Sequence, residues 1–328
     1  MLEIKPVFYD EFRCIAGECT DSCCVGWEID VDENTLRKYN EWDSEFSNKI
    51  RENLAEDENG TVSFRLCENE RCPFLNEKNL CDIIINCGEE NLCDICREHP
   101  RFYNEFYDVV ECGLGLCCEE AARLLLTCEN PFDFILCPED SLLLLNESAL
   151  EEYAEDDYVS FYYLRKEMFD ILNKSGTFEE KIRKISDLIK RKNKGEVAFF
   201  SDEELFEKYE KTEPINEEWK EYFNDLKNGY KNYIEKESPF DEATNGDDVY
   251  SKILSYIIFR HLSNSLYEDT AELWEYFNFC VSGVRFIKLC DIKTYYDKKA
   301  LTLTDRIENI KRWSKQIEYS DENIELIL

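Results

Sequence analysis

A chain of 328 residues is long enough for two domains and a hydrophobic core of its own, so it has no need of disulfides in place of packing. Its formal net charge of −34 repels phosphate backbones and argues against a nucleic-acid partner, while drawing in cationic, lysine-rich surfaces. The longest aliphatic run, Leu142 to Leu145, is too short for a bilayer, which argues against a membrane partner, and Met1 to Phe12 does not read as a signal peptide. The expectation is a cytoplasmic protein.

Cysteine dominates the first part of the chain. Fifteen of the 17 lie at or before Cys137, with only Cys280 and Cys290 beyond it. The odd, clustered set in a chain read as cytosolic points to metal or reactive thiols rather than disulfides. The spacings are Cys14-x4-Cys19-x3-Cys23-Cys24-x2-Trp27, Cys72-Pro73-Phe74-Leu75, Cys81-x-Ile83 and Cys93-x2-Cys96-Arg97. Only Cys93 and Cys96 form a plain CxxC knuckle of the kind zinc sites pair. Iron–sulfur clusters take four thiolates under looser spacing rules, so both metals stay open on spacing alone. Consecutive side chains usually diverge, so adjacent Cys23 and Cys24 are not expected both to bind one metal ion; if one ligates, its neighbour packs or serves another site.

The step in cysteine content predicts a cysteine-rich domain over residues 1–140 and a helical domain over 141–328, with the boundary between Cys137 and Asn146. Before it, Gly, Asn and Pro punctuate short segments until Cys118 to Leu126, which reads as a helix with Glu119 and Glu120 in its first turn. Beyond it, Phe161, Leu164, Met168, Ile171 and Leu172 share a helix face. Thr177-x2-Glu180 is a capping box opening a stripe of Phe178, Ile182, Ile185 and Ile189, and Gly195 ends that run. From Tyr250, residues Ile253, Leu254, Ile257, Ile258, His261, Leu262 and Leu266 keep a helical period, which makes His261 a packed core residue. A last helix runs from Thr304 to Ile317. Residues Glu56 to Gly60 and Asp241 to Asp248 read as loops, and no long alternating strands are evident. The fold class is therefore mainly α: an irregular, cysteine-rich metal-cluster domain followed by an all-helical one.

Two familiar signatures for S-adenosylmethionine are absent. Gly26 stands where CxxxCxxC needs its third cysteine after Cys19 and Cys23. Gly113-Leu114-Gly115 lacks both the preceding strand pattern and the third glycine of a nucleotide-binding loop.

The ordered series as a whole resembles the flagellin lysine-N-methylase family, FliB-like, and more distantly the cysteine-cluster proteins that bind zinc or iron. It comprises Phe12-x-Cys14, Cys19-x-Asp21-x-Cys23-Cys24-x-Gly26-Trp27, Cys72-Pro73-Phe74-Leu75, Cys81-x-Ile83, Cys96-Arg97, Pro100-Arg101 and Cys118-x-Glu120-Ala121-Ala122-Arg123. Tyr256 to His261 is similar to the family's aromatic helix, and Trp313-Ser314-x2-Ile317-Glu318-x-Ser320-x-Glu322-Asn323 to its closing motif. Tyr319 stands where that motif favours histidine, Cys117 where serine is common, and Cys87, Cys93 and Cys112 are additional. The resemblance implies a [4Fe–4S] protein that transfers a methyl group from S-adenosylmethionine to lysines of flagellin. Expected cluster ligands are Cys19, Cys23, Cys24, Cys72, Cys81 and Cys96, with Cys14 and Cys118 in reserve. A lysine ammonium has no lone pair, and fewer than about one in a thousand is neutral near pH 7, which costs roughly 4–5 kcal/mol of barrier. Candidates for handling that proton are Glu120, Glu318 and Tyr319. The competing reading is a non-enzymatic zinc- or iron-binding module for protein interaction or metal handling, with zinc in place of the cluster.

Overall fold

The structure is a computed structural model; it describes residues 2–20, 22–106, 109–137, 157–192, 194–244, 247–267 and 270–328. The expected boundary near residue 140 falls outside them. Two compact units are present: a helical unit of residues 1–12, 103–117 and 121–328, and a cysteine-rich unit of residues 13–102 with 118–120. They interleave along the chain instead of meeting at one point.

The chain opens on strand β1 (Leu2–Pro6), with Leu2, Ile4 and Pro6 buried and Glu3 and Lys5 turned outward. It then enters the cysteine-rich unit with helices α1 (Glu33–Glu41) and α2 (Glu45–Glu52). The hairpin β2 (Leu54–Glu56) and β3 (Val62–Phe64) follows, turning over residues 57–61 near where a loop was expected. Short helices α3 (Asp82–Cys87) and α4 (Asp94–Glu98) come next. Asp32 caps α1 by accepting from Thr35 N and also accepts from Asp94 N at 2.9 Å, tying α1 to α4. The core here is Ile29, Tyr39, Ile50, Phe64, Phe74 and Ile83, with Cys72 and Cys93 buried among them.

Strand β4 (Arg101–Phe106) carries the chain out of this unit, and β5 (Val109–Leu114) and helix α5 (Glu119–Thr127) lead to β6 (Phe134–Cys137). The four strands form a sheet in the order β4-β5-β1-β6, β1 running parallel to β5 and antiparallel to β6. The sheet draws all its strands from residues 2–137, the part expected to be irregular, whereas the described residues beyond 141 are helical, as expected. Its strands are four to six residues long and lie far apart in sequence, so no alternating run announces them.

The rest is helical: α6 (Asp157–Leu172), α7 (Phe178–Arg191), α8 (Asp202–Tyr209), α9 (Glu217–Ile234), α10 (Glu237–Thr244), α11 (Asp247–His261), α12 (Leu273–Lys298), α13 (Leu303–Ile317) and α14 (Asp321–Ile327). The fold is mainly α, as expected. The Thr177–Glu180 capping box is formed, although α7 stops at Arg191, before Gly195. α11 ends at His261, and Leu262–Leu266 continue as a tighter 3-10 turn. The supposed loop from Asp241 to Asp248 is helix through Thr244 and again from Asp247. Phe240 buries one face of α10, and Lys288 holds that helix through Asp241 at 2.9 Å. At the centre lies α12, 26 residues long and buried on every side through its middle, which requires neighbours all round. α9, α11 and α13 pack against it. Gly283 makes the approach of α13 possible, because a Cβ there would lie 2.4 Å from the Trp313 ring.

Candidate functional site

Six thiols gather on the core of the cysteine-rich unit. Cys72 and Cys93 lie within it, and Cys24, Cys81, Cys87 and Cys96 pack against it. Backbone pairing brings them there: Cys72 N donates to Cys24 O at 2.8 Å, and Leu75 bridges to Cys81. Cys81 and Cys93 occupy the N-cap positions of α3 and α4, and the first turn of α4 turns Cys96 back towards Cys93.

Electrostatics report the same gathering. Burial pushes Tyr39 well above the usual tyrosine range, and Cys93, Cys96, Cys81 and Cys87 add to the push. Burial raises Cys72 to about 11, with Cys81 and Cys93 contributing. Cys93 and Cys96 share a hydrogen bond, which holds the Cys93 thiol down and the Cys96 thiol up. Soft, mutually close thiols are the donor chemistry that zinc or an iron–sulfur cluster takes. No three His, Cys, Asp or Glu side chains among the described residues yet stand as a closed metal-binding group. What the structure shows is six thiols packed on one core.

Of the eight expected ligands, Cys24, Cys72, Cys81 and Cys96 come together. The others do not join that core. Cys14 is exposed, its sulfur accepting from Ala16 N at 3.4 Å, and Cys23 is exposed beside the inward-packed Cys24. Cys19 donates to Glu119 Oε2 at 3.5 Å, and Cys118 is half-buried in the same unit. Cys93 and Cys87, outside the expected set, also lie on that core. The CxxC spacing of Cys93 and Cys96 was the available signal for the first; nothing in the spacing marked the second.

The helical unit holds a second constellation. Glu318 is the C-cap of α13 and is fully buried. Its Oε1 accepts from His261 Nε2 at 2.8 Å and faces Arg260 Nε at 3.4 Å, while Ser314 donates to Oε2. Arg260 also donates to the Glu318 carbonyl at 3.2 Å. Burial alone would raise the Glu318 carboxyl, but the Arg260 charge and the His261 and Ser314 bonds together lower it. Burial lowers His261, outweighing the pull of Glu318. The consistent state is an ionised Glu318, a neutral His261 donating from Nε2, and Arg260 as counter-ion. Glu318 is thus a fixed counter-charge with its lone pairs engaged, and it suits positioning better than proton exchange with a substrate.

Tyr319 follows at once. Its ring lies 5.0 Å from the Arg260 guanidinium, and its hydroxyl occupies the space a Cβ on Gly115 would need, only 1.9 Å away. Cys117 bonds that hydroxyl, and burial pushes the phenol well above its ordinary range. Tyr256 Oη fixes the neighbouring strand end, accepting from Leu114 N at 2.6 Å and donating to Leu114 O at 2.7 Å. Glu318 and Tyr319 are therefore brought together around Arg260 and Gly115. Glu120, buried, belongs to the cysteine-rich unit. Arg260 carried no signal of its own in the sequence.

Known proteins place this chain. The family described as the FliB lysine N-methylase C-terminal domain matches residues 141–328, more than half of the chain. A flagellar biosynthetic protein FliU of Salmonella muenchen is 28% identical over 127 residues, 37% of this chain and 75% of the relative. Lysine-N-methylases of Salmonella typhimurium and Salmonella choleraesuis are also 28% identical over 127 residues, 37% of this chain. In both, the matched stretch spans only 32% of the relative's length. No solved structure matches. No described helix is long and apolar enough to cross a membrane. On the match that spans residues 141–328, the chain belongs to the FliB lysine N-methylase family.

Proposed function

We propose that this chain is a protein-lysine N-methyltransferase that acts on flagellin in the cytoplasm, takes its methyl group from S-adenosylmethionine and carries a [4Fe–4S] cluster. The family match over residues 141–328 carries the reading, and the names of the relatives, lysine-N-methylase and flagellar biosynthetic protein, support its substrate class. The cluster would be held by thiols drawn from Cys24, Cys72, Cys81, Cys93 and Cys96, whose convergence on one core supports the assignment. When bound, such a cluster ties together the segments that ligate it and offers iron as a Lewis acid.

The residues of this chain have two tasks. The acidic surface collects a lysine-bearing partner at long range. The Glu318–Arg260–His261 network holds Tyr319 and the Gly115–Cys117 turn in one arrangement. The ε-ammonium must first lose its proton, a loss that desolvation makes cheaper; the nitrogen lone pair would then form the bond to the methyl carbon as the methyl–sulfur bond breaks and S-adenosylhomocysteine leaves. A zinc-binding module without enzymatic activity is the second reading, favoured by the CxxC pair Cys93 and Cys96.

Anaerobic purification with iron, sulfide and zinc analysis on one sample separates the two. A broad band near ~400 nm, about four irons and four sulfides per chain, and transfer of labelled methyl from S-adenosylmethionine to flagellin are expected. Stoichiometric zinc in colourless protein that binds no S-adenosylmethionine would overturn the enzyme. Cys93→Ser and Cys96→Ser should each lower bound iron, whereas Cys14→Ser should leave it unchanged.

A further inference from the structure

Helix α7 departs from the charge of the chain around it. Residues 181–194 hold seven lysines and arginines and one acid, Asp187, in a protein of net charge −34. Phe178, Ile185, Leu188 and Ile189 bury the apolar face, and Lys181 turns inward to Ser251 at 3.1 Å. Arg183, Lys184, Lys190, Arg191, Lys192 and Lys194 remain on the exposed side. Neighbouring acids engage only part of this set: Glu196 takes Lys190 at 2.6 Å and Glu167 takes Lys192 at 3.0 Å. Beside these cations is an open recess of about 520 Å³, lined by Lys184, Asp187, Lys190, Arg191 and, from α6, Ile171.

We propose that this recess docks a short acidic segment of a partner protein, its carboxylates against Lys184, Lys190 and Arg191 and an apolar side chain on Ile171. Size selects the partner. From Arg183 to Arg191 the cationic face runs about 12 Å at 1.5 Å per residue. Its field fades within a Debye length of about 8 Å at physiological salt. A nucleic acid or an anionic bilayer presents charge over a far wider area and would set much of it against the acidic remainder of the chain. A few acidic residues of peptide fit within the patch. The recess also has one apolar lining residue, Ile171, which a peptide side chain can cover and a bare phosphate cannot. The proposal does not depend on methyl transfer.

The test is fluorescence anisotropy on the full chain, using a labelled short Glu-rich peptide with one leucine. A single-stranded oligonucleotide and phosphatidylglycerol vesicles serve as competing probes. Saturable peptide binding is expected, weakened by added salt and roughly tenfold or more by Arg183→Glu/Lys184→Glu/Lys190→Glu/Arg191→Glu. The milder Lys184→Gln/Arg191→Gln variant should weaken it less while keeping the helical spectrum of the parent. Absence of saturable binding, equal binding by both variants, or preference for the oligonucleotide or the vesicles would overturn the proposal.

Discussion

Replacing Glu318 by Gln keeps the volume of the side chain and removes its charge. Arg260 is buried with its Nε 3.4 Å from Glu318 Oε1. At an effective dielectric near 20 that attraction is about 5 kcal/mol, and breaking a buried pair by removing one partner typically costs about 3–5 kcal/mol. His261 and Ser314 add hydrogen bonds to the same carboxylate, which a glutamine amide can accept only in part. Glu318→Gln should therefore destabilise the helical unit by about 3–5 kcal/mol, read from urea unfolding followed by helical circular dichroism, with the midpoint falling at constant slope. Removing both charges in Arg260→Met/Glu318→Gln should recover much of the loss, since no uncompensated charge stays buried. A cost below about 1 kcal/mol for the single variant, or a double variant as damaged as the sum of the singles, would refute the assignment of Arg260 and Glu318 as a mutually dependent pair.

Three further outcomes follow from the same unit. Gly115→Ala should cost about 1–3 kcal/mol, because its Cβ would displace the Tyr319 hydroxyl, and Tyr319→Phe in the same chain should relieve part of the cost; unfolding midpoints measure both. Gly283→Ala should also destabilise by about 1–3 kcal/mol in thermal unfolding, because contact with the Trp313 ring outweighs the better helix propensity of alanine. Asp291 is buried between Arg306, Asn309 and Tyr250, and burial raises its carboxyl from 3.8 to about 6 despite those partners. The folded state then holds a proton the unfolded chain has released. Stability from this group is full below pH 3.8 and is lost as pH rises through about 6, in total about 3 kcal/mol. His261 and Glu318 have the opposite sign, their lowered folded values removing stability as pH falls below 6.5 and 4.5 respectively. Urea titrations across pH 4 to 6 should show the falling component disappear in Asp291→Asn; an unchanged profile would contradict a protonated Asp291.

What the sequence made legible was local. The Thr177–Glu180 box, the stripe on α7 and the core position of His261 each depend on residues within two or three turns of one another, and periodicity reports them directly. The sheet was hidden because β1 finds its neighbours more than a hundred residues away, and its five residues alone carry too little alternation to stand out. The thiol core was legible in part. Cys19, Cys23, Cys24, Cys72, Cys81 and Cys96 fall in the tightest motifs, yet only the last four converge; spacing could not tell exposed Cys23 from Cys24 beside it, which backbone pairing with Cys72 draws onto the core. Arg260 was invisible for a different reason. It sits on the same helix as His261, and only the fold of α13 reveals that both face one carboxylate.

Two departures from the family pattern were read separately in the sequence: Tyr319 where histidine is favoured, and Cys117 where serine is common. In the structure they touch, the Tyr319 hydroxyl bonded to the Cys117 thiol over Gly115. A larger ring with a terminal hydroxyl needs a neighbour able to bond it and a glycine to admit it, and this chain has both. The two positions should therefore behave as one unit. Cys117→Ser and Tyr319→His should each destabilise the helical unit when made alone. The double variant should lose less than the sum, with a coupling of about 0.5–3 kcal/mol, as residues in contact typically show. Strict additivity in urea unfolding would mean that the contact carries no energy and that the two departures meet by coincidence.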